Sequence, residues 1–336
     1  MITKGKPALI LAPMDGVTDA LMRTLLTRHM PFSYCVSEFV RVSQSVVPRH
    51  VFRKEVPEIA LGARTPSGTQ VGVQILGGDP ERMARSAAIA VAEGALVIDI
   101  NFGCPAPTVN RHDGGATLLK FPERIETIVA AVRSAVPATI PVSAKLRLGW
   151  DDPSAIFLNS ERASRGGASW ITIHGRTKMQ GYTPPAYWKP IGEVRRALDI
   201  PVVANGEIWS LDDLKRCQDE SGCEHFMLGR GALSDPDLVR SCAEYLEIST
   251  CTAKRQPQCG DTLWRELIDE LVSDSRSAKE SDRRTLSRVK QWLNYAHHRR
   301  SISWFDSIKR AHDTRELSVL LDQIVGLPKR EPRLAA

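Results

Sequence analysis

No run of apolar residues in this 336-residue chain is long enough to span a bilayer, which takes about 20 of them. The opening residues, Met1-Ile2-Thr3-Lys4-Gly5-Lys6-Pro7, also lack the apolar stretch of a secretory signal. A membrane protein is therefore not expected, and a cytoplasmic location is. The seven cysteines (Cys35, Cys104, Cys217, Cys223, Cys242, Cys251 and Cys259) are odd in number and scattered, and no two have C-x-x-C spacing. That argues against a disulfide framework and against a zinc or iron–sulfur centre, so no metal is expected. No Gly-x-Gly-x-x-Gly follows a candidate strand, so a dedicated dinucleotide-binding unit is missing as well.

What is present is an ordinary globular composition, long enough for one large domain and a smaller second one. The formal charge is +6, and its placement matters more than its size. Between positions 283 and 310 stand eight basic residues (Arg283, Arg284, Arg288, Lys290, Arg299, Arg300, Lys309, Arg310) against one acid, Asp306. This window carries a net +7, which leaves −1 for the rest of the chain. A local excess of that kind suits a surface that meets a polyanion.

Up to about position 232, short β-rich apolar runs alternate with helix-like stretches. Eight candidate strands lie at 8–14, 34–40, 71–76, 96–101, 142–148, 170–174, 202–205 and 226–229. Several are apolar nearly throughout, as parallel strands covered on both faces are. Helical spacing is clearest at 80–93, 122–136, 156–165 and 188–198. Eight β-then-α units in that length predict a (β/α)8 barrel, with a doubly wound open sheet as the structural competitor. The polar stretch 248–261 reads as a linker. After it, Leu263, Leu267 and Leu271, then Val289, Trp292 and Leu293, then Leu317, Leu320, Leu321 and Ile324 recur at helical spacing. The expected division is a barrel domain at 1–247 and a small all-α domain at 262–336.

In a parallel barrel the site lies at the C-terminal strand ends. Those ends carry Pro13-Met14-Asp15, Gln74, Asn101 with Gly103-Cys104-Pro105, Lys145 with Arg147, His174-Gly175-Arg176, Asn205-Gly206-Glu207 and Gly229-Arg230-Gly231. A single lysine or histidine in a strand is ordinarily a satisfied structural residue. Seven of eight strand ends converging on polar groups point instead to a ligand site.

The set Ala12-Pro13-Met14, Asn101-x-Gly103-Cys104-Pro105, Lys145-x-Arg147, His174-Gly175-Arg176-Thr177, Asn205-Gly206-Glu207-Ile208 and Gly229-Arg230-Gly231-Ala232 resembles the tRNA-dihydrouridine synthases. The likeness continues into Arg288-Val289-Lys290-Gln291-Trp292-Leu293. The stretches Glu38-Phe39-Val40-Arg41-Val42, Arg64-Thr65-Pro66-Ser67-Gly68 and 204–209 are most similar to the bacterial C-type subfamily, associated with uridine 16 of the D-loop.

The resemblance implies an FMN enzyme that takes hydride from NADPH and reduces the C5–C6 double bond of uracil, with Cys104 as the proton donor. An unperturbed thiol, with a pKa of about 8.5, is mostly protonated at neutral pH, as an acid should be. The same resemblance places Pro13, Met14 and Asp15 under the flavin, Gln74, Lys145 and His174 at its ring, and Asn205, Gly206, Glu207, Gly229 and Arg230 around its phosphate. Asn101 and Tyr182 match positions close to the target base, and Arg41, Arg288, Lys290, Tyr295 and Lys309 match positions that touch tRNA. Arg283, Arg284, Arg299 and Arg300 are added from charge alone. NADPH would enter by the same mouth. No membrane or protein partner is implied, and a monomer is expected. Phe102 and the charged loop 110–116 depart from the family pattern. Two other readings stand beside this one: an FMN barrel oxidoreductase acting on a small enone or pyrimidine, and a non-catalytic RNA-binding protein on a degenerate barrel.

Overall fold

The structure is a computed structural model that describes residues 2–248, 260–299 and 302–325. Most of the expected linker, together with Cys251, Cys259 and Arg300, lies outside the described residues.

Among the described residues nine parallel strands form the sheet: β1 (Ala8–Leu11), β2 (Tyr34–Val36), β3 (Val40–Arg41), β4 (Gln70–Leu76), β5 (Ile98–Asn101), β6 (Val142–Arg147), β7 (Trp170–His174), β8 (Val202–Asn205) and β9 (His225–Leu228). β1 pairs with β2 on one side and with β9 on the other, and β2 also pairs with β4. The sheet therefore closes on itself, which an open doubly wound sheet cannot do. Eight strands form the barrel, and the two-residue β3 flanks the end of β4.

Two expected strands are shorter than their apolar runs suggest. β1 stops at Leu11 because Pro13 has no N–H for a ladder, and Met14 N instead donates to Thr18 Oγ1 at 2.8 Å. The run 34–40 is split: Ser37 leaves the regular ladder and its hydroxyl accepts from Gln74 N at 3.0 Å.

Outside the barrel run α1 (Ala20–His29), α2 (Arg49–Glu55), α3 (Pro80–Ala92), α4 (Pro107–Asn110), α5 (Pro122–Ala135), α6 (Ala155–Arg165), α7 (Lys189–Ala197), α8 (Leu211–Ser221), α9 (Arg230–Ser234) and α10 (Leu238–Tyr245). Their starts are written locally. α3 and α5 begin on a proline, whose missing N–H would be unpaired there anyway. The Asp79, Asp19 and Ser210 side chains cap α3, α1 and α8 by accepting from Arg82 N, Met22 N and Asp213 N.

The alternation of each strand divides the residues between two environments. Leu9, Leu11, Val73, Ile75, Ile98, Ile100, Ala144 and Leu146 join the large cluster beneath the helices. Ala8, Ile10, Tyr34, Val97, Trp170, Val203 and Met227 form a second, smaller apolar cluster that plugs the barrel. Gly72 is required there, since a Cβ at that position would overlap the Tyr34 hydroxyl. Above this plug the inward positions turn polar: Gln74, Asp99, Asn101, Ser143, Lys145, Thr172 and Asn205. That switch positions the site.

The remaining helices are α11 (Asp261–Ser277), α12 (Asp282–His298), α13 (Phe305–Ile308) and α14 (Thr314–Val325). They bind to the barrel through α11 and α12. α11 lies along α1, where Arg28 ion-pairs with Glu270 and Asp274. α12 lies along α9, where the fully buried Trp292 donates from Nε1 to Leu233 O at 2.9 Å and packs 5.3 Å from the Trp264 ring. Trp292→Ala is expected to cost about 3–5 kcal/mol, read as a lowered midpoint in urea unfolding; an unchanged midpoint would show that this contact is dispensable.

Candidate active site

A cavity of ≈ 580 Å³ opens at the C-terminal ends of the strands, within the usual range for a small-molecule site. Among the residues singled out from the sequence, Pro13, Met14, Asp15, Asn101, Cys104, Lys145 and His174 line it. So do Tyr182, Asn205, Gly206, Glu207, Gly229, Arg230 and Tyr295. One end of the chain's barrel thus gathers side chains from positions 13 to 295.

The floor is an ordered set of hydrogen bonds whose direction follows from one carboxylate. Asp99 is buried inside the barrel and can only accept when ionised. Ser143 Oγ donates to its Oδ1 at 2.5 Å and Gln74 Nε2 to its Oδ2 at 2.6 Å. With its amide nitrogen so used, Gln74 presents Oε1, which accepts from Asn101 Nδ2 at 2.8 Å. Asn101 must then turn Oδ1 toward the backbone, where Gly103 N and Cys104 N both donate to it at 2.9 Å. The amide orientations, which an isolated Gln or Asn leaves open, are settled here by what the next partner can accept.

The turn that carries Cys104 is therefore held from below by Asn101. It is also held from the side: Arg147 Nε donates to Gly103 O at 2.9 Å, while Arg147 NH1 bonds Thr177 O and Gly181 O at 3.1 and 2.9 Å. Gly115, in a left-handed conformation, lets the following loop pass close over the turn, and Ala116 N donates to Cys104 O at 3.1 Å. A Cβ on Gly115 would stand 2.9 Å from Cys104 O.

Across the cavity, Lys145 Nζ donates to Asn205 Oδ1 at 3.0 Å, and Asn205 Nδ2 donates to Met227 O at 2.8 Å. Burial, and then the neighbouring Arg147, lower the Lys145 ammonium to about 8. Burial raises Asp99 to about 6 and pushes the Cys104 thiol up from its ordinary value. His174 is held neutral, first by burial and then by Arg147 and Lys145. The site thus presents a protonated thiol, a neutral imidazole and a surplus of cations.

Those features fit a planar, anionic, phosphate-bearing group. Gly206, at positive φ, and Gly229 leave the wall after β8 and β9 bare: a Cβ would come within 3.1 Å of His174 Nε2 in one case and 3.3 Å of Met14 Sδ in the other. His174 Nδ1 is buried without a hydrogen-bond partner among the described residues. Arg230 has no carboxylate in ion-pair range among the described residues. Among those residues there is no cluster of His, Cys, Asp and Glu able to hold a metal ion, and no helix long and apolar enough to cross a membrane.

Other residues read from the sequence lie elsewhere. Gln74 sits under Asn101, one layer below the cavity lining. Arg41 is exposed at the rim, donating to Thr108 O at 2.9 Å. Arg288 is only 8% exposed, bound to Glu280 at 3.0 Å and to Asp19. Lys290 donates to Ala311 O at 2.6 Å, and Lys309 pairs with Asp306 at 2.6 Å. Arg283 and Arg284 are exposed on α12, Arg284 lying 3.3 Å from Glu280. Asp99, at the end of its strand, and Trp209, in the stretch 204–209, were given no role from the sequence. Asp99 had a signal in an acid placed among apolar strand residues; Trp209 had one in an aromatic closing the Asn-Gly-Glu-Ile turn.

A model of the family described as dihydrouridine synthase (Dus) matches residues 10–325. The chain belongs to that family. It is 42% identical over 317 residues to a tRNA-dihydrouridine(16) synthase of Aquipseudomonas alcaligenes, covering 93% of this chain and 98% of that one. A protein of the same name from Shewanella oneidensis is 43% identical over 94% of this chain and 97% of its own. One from Ralstonia nicotianae is 44% identical over 95% and 96%.

Two expectations follow from the site's electrostatics. Iodoacetamide should label Cys104 more slowly than a free thiol at neutral pH, with the rate rising only above the ordinary thiol range; peptide mapping reads this position alone, and fast labelling at pH 7 would contradict a raised pKa. Asp99→Asn keeps both hydrogen bonds, with Ser143 now accepting. Because the folded pKa of Asp99 is raised from 3.8 to about 6, its ionisation costs stability that is absent at low pH and grows as pH climbs through that window. The stability difference between variant and wild type should therefore shift toward Asn by up to about 3 kcal/mol between pH 4 and 7. A pH-independent difference would refute it.

Proposed function

We propose that this protein is an FMN- and NADPH-dependent tRNA-dihydrouridine synthase that reduces the C5–C6 double bond of a D-loop uridine, at position 16, with Cys104 protonating C5. The observation that carries the reading is a protonated thiol on a doubly anchored turn, set at the mouth of a cation-rich cavity in a chain of this family. Relatives covering nearly the whole chain bear the name of that activity and position.

Pro13, Met14 and Asp15 would lie under the isoalloxazine ring, with Lys145, His174 and Gln74 on its side of the barrel. Gly206, Glu207 and Gly229 would approach the phosphate through backbone N–H groups, with Asn205 and the Arg230 guanidinium beside them. Bound there and reduced by NADPH, FMN would supply the hydride that goes to C6. Lys145 would set a positive charge beside the bound ring and favour negative charge there. Asn101 keeps the Cys104 turn in place through Oδ1, which leaves one Nδ2 hydrogen for a pyrimidine oxygen. Cys104 gives its proton to C5 on the face presented by the turn, and solvent reprotonates it. The exposed Tyr182 ring, with the cations Arg147 and Arg230 5.4 and 4.7 Å from its centre, would stack on a base in this reading.

The uridine must leave the folded tRNA to reach this depth. Residues 262–336 form the tRNA-binding domain in this reading, with Lys290, Tyr295 and Lys309 toward the RNA and Arg41 on the barrel rim. Arg288, bound to Asp19 and Glu280, serves by fixing α12 against the barrel. Residues 1–247 are the catalytic domain, and the protein acts as a cytoplasmic monomer.

Cys104→Ala should take up FMN normally and lose dihydrouridine formation on native tRNA by roughly 100-fold or more. Normal turnover in that variant would remove Cys104 from the chemistry. Affinity of the wild-type protein for tRNA should fall steeply with salt; absence of binding at low salt would favour a small-molecule substrate.

A further inference from the structure

We propose that Arg299, stacked on Trp209, is a phosphodiester-binding site at the rim of the cavity, gripping the RNA strand that leads into it. The proposal rests on the reading of the substrate as tRNA.

Trp209 stands on the turn after β8, and its ring is held in place. Its Nε1 donates to Glu207 Oε1 at 2.8 Å and its backbone N to Asp213 Oδ2 at 3.0 Å, while Glu207 is ion-paired with the buried Arg176. Two guanidinium groups meet this ring. Arg299 Cζ lies 3.9 Å from its centre, and Arg230 Cζ lies 5.1 Å from it. The first comes from the end of α12, the second from the start of α9, so the indole joins the helical region to the barrel mouth.

On α12, Arg284 and Arg288 each have a carboxylate in range, as does Arg265 on α11. Among the described residues neither Arg230 nor Arg299 has one. Two like charges sharing one ring repel, and an anion between or beside them removes that cost. Burial, and in lesser degree Arg299, already hold the Arg230 guanidinium below its ordinary value. A guanidinium stacked on a fixed indole has given up much of its rotational freedom beforehand, and its fork matches two oxygens of a phosphate.

The two arginines face different ligands. Arg230 lines the cavity, within reach of a bound mononucleotide. Arg299 is exposed and lies outside the cavity lining. A uridine turned into the cavity leaves its flanking phosphodiesters at the rim, where a stacked, unpaired guanidinium is the complementary group.

The experiment uses the FMN-loaded full chain with tRNA transcript, titrated across a potassium chloride series, and FMN binding is measured in parallel. Arg299→Ala should weaken tRNA binding roughly ten-fold at low salt and lower the slope of log affinity against log salt by about one, with FMN affinity unchanged. Trp209→Leu should reduce affinity too, and the two changes together should do less than their product. Arg165→Ala, on the far side of the barrel on α6, should leave affinity and slope at wild-type values. The proposal is overturned if Arg299→Ala keeps the wild-type affinity and slope. It is equally overturned if the variant loses FMN instead, which would assign the anion to the cofactor, or if Arg165→Ala lowers the slope as much. A wild-type protein that binds no tRNA at low salt overturns the substrate reading itself, a result distinguishable from each of these.

Discussion

A carboxylate inside a barrel must be met by donors, and Asp99 is met by two. Burying it without them would cost several kcal/mol. Once they are supplied, every polar atom above it has a set direction: Gln74 must give its nitrogen downward, Asn101 must give its nitrogen to Gln74, and the backbone at Gly103 and Cys104 must give its hydrogens to Asn101. The Cys104 turn is thus the last member of a chain that begins at the barrel's centre. The apolar plug below, with Tyr34 fitted over Gly72, keeps water from offering these groups other partners.

The same economy of partners organises the opposite wall. Lys145, half-buried beside Arg147, donates to Asn205, and burial with the neighbouring guanidinium makes it hold its proton weakly. Arg176 is ion-paired with Glu207, which also fixes Trp209, and among the described residues Arg230 is left without a carboxylate. In the lining of the cavity Lys145, Arg147 and Arg230 outnumber Asp15 and Glu207, a balance that favours an anionic ligand. Its helical lid is attached through specific contacts: Trp292 to Leu233 and Arg288 to Asp19 bring Tyr295 and Arg299 to the mouth.

Much of this plan was legible along the chain. The eight apolar runs correspond to eight barrel strands, and Pro80 and Pro122 mark the starts of α3 and α5. Other details were not. The run at 34–40 carries no break in its composition, yet Ser37 departs from the ladder because its hydroxyl is wanted by Gln74 N. Arg288 reads as one more cation in a basic window, yet its partner Asp19 is 269 residues away and buries it.

By itself the sequence determined the eight β/α units, the polar residues at their ends, the basic window and the family. These are properties of local period, composition and motif, which survive without knowledge of neighbours. Only the tertiary structure decided that the sheet closes, that Gln74 lies beneath Asn101 rather than at the cavity wall, and that Arg299 meets Trp209. Each of these depends on which strands and helices become adjacent, and hydrogen bonds and cation–π contacts exist only between groups that the closed barrel has brought within a few ångströms of one another.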